Sequence, residues 1–386
     1  MTVDEQHLRR ALELARAGIG QVSPNPAVGA VVVDASGREL GAGTYTYDGL
    51  KHAEILALGK AGGAARGATL YLNLEPCSHQ GRTGPCADAV IAAGVGRVVC
   101  PMEDPNPRVA GQGFAKLRAA GIKVEMGLLA AEAKKLNESF AKYIRRGKPL
   151  VTLKSAMTLD GKIAAAKKPG AESGSELPAS EGARSGPHWI TGELARAHVQ
   201  QLRHQSDAIM VGVGTIMADD PLLTDRSGLP RRRRLLRVIL DSYLHIPAAA
   251  RVIKTAEQDV LVLCSSAEQE KRLVLEAQGI RVEEIAATAD GRPDFAAIVQ
   301  KLGELEITSL LIEGGAQVNG AALASGEVDK VFLYYAPRIL GAGAVPFIAG
   351  EELRGKPQWV NRFELHRFGE DFALEGYLHD PYAAQP

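Results

Sequence analysis

Two α/β domains in tandem are what this sequence predicts, and three observations carry the prediction. The chain has 386 residues, more than the roughly 250–300 at which a single core stops growing. Helix-period stripes alternate with short β-branched runs along its length, as when helices are layered on sheets. A helix-like stretch, Ala130 to Arg146, ends in Arg145-Arg146-Gly147-Lys148-Pro149. There a glycine stop meets a residue that cannot continue a helix, so the boundary falls between 1–147 and 148–386.

In the first half, Leu8, Ala11, Leu12 and Ala15 recur at helical spacing between Glu5 and Ala17, before Gly18 and Gly20. That is an amphipathic helix. Val28 to Val33 and Glu39 to Gly43, separated by the turn residues Asp34 to Gly37, read as an antiparallel hairpin. His52 to Gly59 is helical by composition, Thr69 to Leu74 a strand, Ala87 to Ala93 a helix and Arg97 to Pro101 a strand. A helix and a strand follow between Gly113 and Met126, and Ala130 to Arg146, with Leu136, Phe140 and Ile144 on one face, is a last helix. In the second half, strands are expected at Leu150–Lys154, Ala208–Val213, Arg237–Asp241, Val260–Cys264, Ser309–Ile312 and Lys330–Tyr335. Helix-length polar stretches separate them, as in a second open sheet. Ala164 to Pro187 is poor in large apolar residues and is expected to be a mobile loop. Arg231 to Arg234 reads as a solvated loop.

Charge and composition exclude several function classes. Forty-five basic residues balance forty-five acidic ones, leaving no net field to hold a polyanion, so no nucleic-acid partner is expected. No run reaches the roughly 18 apolar residues of a membrane span, and Met1 to Arg10 lacks an apolar signal core. A soluble, cytoplasmic protein with no membrane contact is the expectation. Four cysteines are too few for a disulfide scaffold.

Two of those cysteines call for a chemical explanation. His52-Ala53-Glu54 opens a helix, and Cys77 and Cys86 flank a Gly- and Pro-marked loop after the next strand. One imidazole and two thiolates are three zinc ligands, and a set without a fourth protein ligand suits a catalytic ion that keeps a position for water. Glu54 supplies a carboxylate to carry protons between that water and a leaving amine. A helix beginning at Cys86 would help keep the thiolates ionised. Zinc deaminases of nucleobases show His-x-Glu followed by Pro-Cys-x-x-Cys; here eight residues separate the cysteines. The longer loop carries His79 and Arg82, placed to meet substrate, with Arg82 suited to a phosphate. A structural or incidental metal site, or two unrelated thiols, is the alternative.

Asn25 within Ser23-Pro24-Asn25-Pro26-Ala27-Val28-Gly29, the His52-Ala53-Glu54 triplet and Pro76-Cys77-Ser78-His79-Gln80-Gly81-Arg82-Thr83 resemble the bifunctional deaminase-reductase family of riboflavin biosynthesis. That family's deaminase half has the long spacing between cysteines. The resemblance continues through Lys154-Ser155-Ala156-Met157-Thr158-Leu159-Asp160-Gly161, Trp189-Ile190-Thr191, Gly212 to Pro221, Asp241-Ser242 and Glu313-Gly314-Gly315. It implies a cytidine-deaminase-like three-layer sandwich followed by a dihydrofolate-reductase-like α/β domain, with Zn2+ and NADPH as cofactors. The implied reactions are hydrolytic deamination of a diamino-pyrimidinone ribosylamine phosphate, then reduction of its ribosyl group to ribityl. By position, Asn25, His79 and Arg82 would bind the deaminase substrate. Ser155, Trp189, Thr215, Asp219, Ser242 and Gly315 would contact NADPH; Lys154, Arg203, Leu223, Arg226 and Glu313 would contact the reductase substrate. The resemblance also implies a homodimer through the reductase domain.

The sequence departs from the family twice. Gly84-Pro85 stands where Pro-Pro is usual, and Gly186-Pro187-His188 precedes Trp189 in place of a Ser-containing link, so that serine contact is not assigned. The residues alone also fit a deaminase of another nucleotide or of a tRNA base joined to an inactive or unrelated domain. Zero charge and 5% aromatic content argue against the RNA substrate.

Overall fold

The computed structural model describes residues 1–81, 84–165, 189–350 and 357–383. They form two compact units, Met1–Gly147 together with Pro230–Arg233, and Lys148–Leu229 together with Arg234–Ala383. The segment expected to be a mobile loop lies, from residue 166 onward, outside the described residues.

The first unit is a three-layer sandwich. Its elements run α1 (Val3–Ala17), β1 (Gly29–Val33), β2 (Glu39–Thr44), α2 (Ala53–Ala61), β3 (Thr69–Leu72), α3 (Cys86–Ala92), β4 (Arg97–Cys100), α4 (Gln112–Ala119), β5 (Lys123–Met126), α5 (Ala130–Leu136) and α6 (Glu138–Arg146). The sheet order is β2-β1-β3-β4-β5. β1 is antiparallel to both neighbours, whereas β3, β4 and β5 run parallel. Thr2 caps α1 through its side-chain oxygen, which accepts from the Glu5 amide, and Asp4 and Glu5 complement the helix dipole.

Strand alternation divides this core. Val31, Val33 and Tyr71 meet Leu8 and Ala11 of α1 on one face. Ala30, Val32, Leu70 and Leu72 meet Ala53, Ala57, Ala87, Val90, Phe114 and Leu117 of α2, α3 and α4 on the other. Glycines in the hairpin let helices approach closely. A Cβ on Gly29 would stand 2.2 Å from the Ala11 carbonyl oxygen, and one on Gly43 2.2 Å from that of Ala53.

The single helix expected over Ala130–Arg146 is two helices. Asn137 leaves helical geometry (φ −112°, ψ 19°) and is buried. Its side chain accepts from the Ala27 amide (2.8 Å) and donates to the Ala27 carbonyl (3.1 Å). A side chain that satisfies distant backbone competes with an uninterrupted helix.

The second unit contains β6 (Leu150–Thr158), β7 (Lys162–Ala164), α7 (Glu193–Gln205), β8 (Ala208–Gly212), α8 (Val213–Asp219), β9 (Leu236–Leu240), α9 (Arg251–Lys254) and β10 (Val260–Cys264). It continues with α10 (Gln269–Glu276), β11 (Arg281–Glu284), α11 (Phe295–Glu304), β12 (Ser309–Ile312), α12 (Ala316–Ala324), β13 (Lys330–Ala336), β14 (Val345–Pro346), β15 (Asn361–Phe368) and β16 (Asp371–Tyr377). Nine strands form one sheet in the order β11-β10-β9-β8-β12-β6-β13-β16-β15, and β14 pairs with β7 apart from it. β6 and β8–β13 pair in parallel; β16 and β15 are antiparallel additions at one edge. Helices α11 and α12 cover one face. Ile216, Val252, Ile253 and Leu275 of α8, α9 and α10, with Ala195 and Val199 of α7, cover the other.

The solvated-loop reading of Arg231–Arg234 is corrected for its first three residues. Pro230–Arg233 packs as part of the first unit, with the Arg232 guanidinium centred 3.7 Å from the middle of the Tyr47 ring.

Candidate active sites

In the first unit two helix starts meet. His52 is the N-cap of α2 and Glu54 lies in its first turn, so both stand at the same helix end. Cys86 is the first residue of α3. The His52 Nδ1 atom is 3.2 Å from Cys86 Sγ and 3.6 Å from Cys77 Sγ, and the three ligand atoms lie within 4.8 Å of one another. The Cys86 amide donates to Cys77 Sγ at 3.3 Å, so the start of α3 supports a thiolate on Cys77. Hydrogen bonds from Cys86 and His52 pull the Cys77 thiol down to about 4 against the effect of burial. Cys86, bonded to that thiolate and buried, is raised. Its own charge therefore awaits a cation, since two adjacent thiolates need one.

Glu54 is 3% exposed. Burial pushes its carboxyl up to about 7, and among the described residues its Oε2 has no hydrogen-bond partner. A carboxyl that titrates near neutral pH can both accept and return a proton. This orphaned oxygen beside a His/Cys/Cys set fits a catalytic ion with a water position, rather than a closed structural site.

Asn25 belongs to the same neighbourhood. Its Nδ2 donates to the Tyr45 hydroxyl at 2.6 Å, and the Tyr45 ring stands edge-on to His52, centroids 5.4 Å apart. His79 is exposed in the loop after Cys77, and Arg82 lies outside the described residues. Tyr45 escaped the sequence reading; its signal was an aromatic directly after a strand of small residues. Glu75 escaped it too. Its carboxylate accepts from the amides of Asp104, Gly111 and Phe114 (2.9, 2.9 and 3.2 Å), fixing the approach to Cys77.

In the second unit most of the expected residues gather at the carboxyl ends of parallel strands, where open α/β sheets bind ligands. Ile312 of β12 pairs with Leu153 of β6, so Glu313 and Lys154 follow side by side. Lys154 Nζ is 3.3 Å from Glu313 Oε2. Arg203 on α7 donates to both Glu313 oxygens, from Nε at 2.7 Å and Nη2 at 3.1 Å, and from Nη1 to the Thr224 carbonyl at 2.9 Å. Arg203 is thus engaged by Glu313 and the backbone ahead of Arg226. Burial would raise the Glu313 carboxyl, but the charges of Lys154 and Arg203 override it and hold it at about 2. The ion triad sits above Tyr334, whose hydroxyl is 2.6 Å from His198 Nδ1; Lys154 Nζ is 5.9 Å from its ring centroid.

Ser155 is buried and, by strand alternation, faces away from Lys154. Thr215 on α8 and Gly315 meet, for a Cβ on Gly315 would lie 3.5 Å from Thr215 Oγ1, and one on Gly314 2.7 Å from Val318. Gly315 is the N-cap of α12, so backbone amides there suit a phosphate. Ser242 follows β9, its carbonyl accepting from the Ser265 and Ser266 amides. Beside it Asp241 Oδ1 and Ser265 Oγ are buried with no hydrogen-bond partner among the described residues. Trp189 is half exposed, with Arg196 5.2 Å from its ring centroid. Asp219, the last residue of α8, and Arg226 are exposed, whereas Leu223 is buried at φ 57°. Buried Arg237 donates to the Leu222 carbonyl at 3.1 Å, supporting that bend.

Known proteins resemble both halves. Residues 149–374 match the family model of the RibD C-terminal domain, and residues 1–102 that of the cytidine and deoxycytidylate deaminase zinc-binding region. The chain is 39% identical over 372 residues to the riboflavin biosynthesis protein RibD of Aquifex aeolicus, covering 96% of this chain and 98% of that one. It is 37% identical over 385 residues to the protein of that name from Escherichia coli, covering 96% and 98%. Among solved structures, RibD of Acinetobacter baumannii superposes with TM-score 0.80 at 34% identity, over 97% of this chain and 98% of that one. A diaminohydroxyphosphoribosylaminopyrimidine deaminase/5-amino-6-(5-phosphoribosylamino)uracil reductase of Thermotoga maritima does so with TM-score 0.76 at 35% identity, over 97% and 98%.

Proposed function

The chain belongs to the RibD family, and from that membership we propose how its own residues divide the work of the two reactions. It is a bifunctional enzyme of riboflavin biosynthesis, a zinc-dependent deaminase and an NADPH-dependent reductase. Residues 1–147 act as the deaminase domain and residues 148–386 as the reductase domain.

In the deaminase domain His52, Cys77 and Cys86 hold zinc. When bound, zinc would lower the pKa of a water molecule so that a hydroxide nucleophile is available near neutral pH. Glu54 does the proton work: its carboxylate takes a proton from the attacking water and returns it to the leaving amine, so that water enters and ammonia leaves. Asn25, His79 and Arg82 bind the pyrimidine ribosylamine phosphate. Tyr45 orients Asn25.

In the reductase domain the carboxyl ends of β6, β8, β9 and β12 receive NADPH, which supplies the hydride. Gly315 and Thr215 face its phosphates, and Ser155, Trp189, Asp219 and Ser242 complete the contact. The backbone amides that follow the N-cap Gly315 at the start of α12 support this placement, as do the orphaned oxygens of Asp241 and Ser265. Arg226 and Leu223 bind the substrate. Lys154, its charge balanced by Glu313, holds a proton beside the sugar being reduced, and Arg203 keeps Glu313 ionised.

The same reading gives a small-molecule substrate, no nucleic-acid or membrane partner, and residence in the cytoplasm, whose reducing conditions keep the Cys77 and Cys86 sulfurs available as metal ligands. It also gives a homodimer through the reductase domain. Edge strand β15 supports that pairing, because it exposes Phe363 and Leu365 beside Phe372 of β16 and an uncovered apolar edge invites a partner.

The observation that carries the reading is the buried Glu54 carboxyl beside His52, Cys77 and Cys86, whose Oε2 has no hydrogen-bond partner among the described residues. Its test is Glu54→Gln. Ammonia release should fall by about a thousandfold with one zinc per chain retained; activity within tenfold of the wild type would remove Glu54 from the mechanism.

A further inference from the structure

We propose that Arg232 and Arg233 are positioning residues of the deaminase reaction, bracing the loop that presents Asn25. The inference rests on the deaminase reading given above. It concerns a basic segment that in sequence lies far past the other residues of the first unit, yet folds as part of that unit.

Arg232 is attached at four points. Its backbone amide donates to the Gly20 carbonyl at 2.8 Å. From its guanidinium, Nη1 donates to the Ser23 carbonyl at 3.0 Å and Nε to Asp48 at 3.1 Å, and the same plane stacks on Tyr47. Arg233 adds a bond from Nη2 to the Ser23 hydroxyl, 2.9 Å. Arg231 closes the segment on itself, Nε donating to the Arg233 carbonyl at 3.1 Å.

The braced atoms stand next to the substrate residue. Ser23 is two positions before Asn25, whose amide donates to the Val22 carbonyl at 3.0 Å, while the Tyr47 amide donates to the Gln21 carbonyl at 3.0 Å. The arginines therefore join both ends of one small assembly. Its other links are the hydrogen bond from Asn25 to Tyr45 and the ring contact between Tyr45 and His52. A planar guanidinium that bonds in two directions while stacking restrains translation and tilt together; a lysine offers a point charge without the fork. Since Asn25 is read as a substrate contact and not as a metal ligand, a loop released at Ser23 should lose substrate affinity before it loses zinc.

The test uses the full chain carrying Arg232→Ala, Arg233→Ala or Arg232→Lys. For ammonia release, KM should rise by about tenfold in both alanine variants and less in Arg232→Lys, with kcat changed by under about threefold. Zinc content should be unchanged, as should NADPH oxidation supplied with the already deaminated intermediate. Amide hydrogen exchange over residues 20–26 should accelerate by about tenfold in the alanine variants. An unchanged KM overturns the proposal even where exchange accelerates, because the brace is then only structural. An unchanged exchange rate overturns it even where KM rises, because the arginines then act on substrate directly. Absence of ammonia release by the wild type refutes the deaminase reading itself, and with it the positioning role; exchange then reports only whether the brace exists.

Discussion

At the scale of single residues, Glu313 ties together the carboxyl ends of β6 and β12 and helix α7 in the second unit. Its carboxylate is ionised in a buried place because Lys154 and Arg203 neutralise it, and each of the two cations is kept in geometry by it. Replacing Glu313 by Gln leaves two buried cations facing each other, a fault that costs about 3 kcal/mol. The pH dependence has a definite sign. The folded carboxyl titrates at about 2 rather than the ordinary 4.5, so the stability it contributes is complete above about 4.5 and is lost as pH falls toward 2. Urea unfolding of wild type and Glu313→Gln should therefore differ most above pH 4.5 and converge below it. Both tryptophans, Trp189 and Trp359, belong to the second unit, so their fluorescence follows the relevant transition. A gap that stays constant from pH 7 to pH 2 would show that the charge of Glu313 is not what stabilises the fold. The cluster of His52, Cys77 and Cys86 beside Glu54 was legible in the sequence, because its chemistry is packed into His-x-Glu and two nearby cysteines. Tyr45 and Arg232 were not, since each acquires its partner only through folding.

Elements place these residues, and the β1–β2 hairpin shows how narrowly. Gly43 lies directly under the first turn of α2, the turn that carries Glu54 and follows His52. An alanine there would press on the Ala53 carbonyl and push the helix start outward, an overpacking that costs about 1–3 kcal/mol. Gly43→Ala should lower zinc content and ammonia release together while leaving NADPH oxidation intact; unchanged zinc content would mean that α2 tolerates displacement. Turn residues and a β-branched run made this hairpin readable, periodicity the helix before it and composition the helix after it; periodicity alone was not enough everywhere. It failed at Asn137, where a helical pattern continues in sequence but a buried side chain bonds Ala27 across the fold. It failed also at β15, whose residues are exposed along most of its length, so no burial pattern marks it as a strand. β11 and β7 were missed because three or four residues of mixed polarity carry no period.

For the whole molecule, two sheets with separate cores account for two chemistries on one chain. Each core is complete within its unit: Ala30 to Leu72 with α2–α4 in the first, Val151 to Val331 with α11 and α12 in the second. The stop of the last helix was legible because Gly147 stands just before Pro149, and it ends α6 in left-handed geometry (φ 65°). The return of Pro230–Arg233 to the first unit was not, because a run of arginines reads as solvated surface until a ring and two carbonyls are found for it. The central claim is that both sites work in order on one substrate, and a two-stage assay of the purified full chain tests it most directly. Supplied with the diamino-pyrimidinone ribosylamine phosphate, the protein should release one ammonia per substrate without nucleotide. On addition of NADPH it should then oxidise one equivalent per ammonia released. NADPH oxidation that does not depend on prior ammonia release, or ammonia with no oxidation following it, would contradict the account.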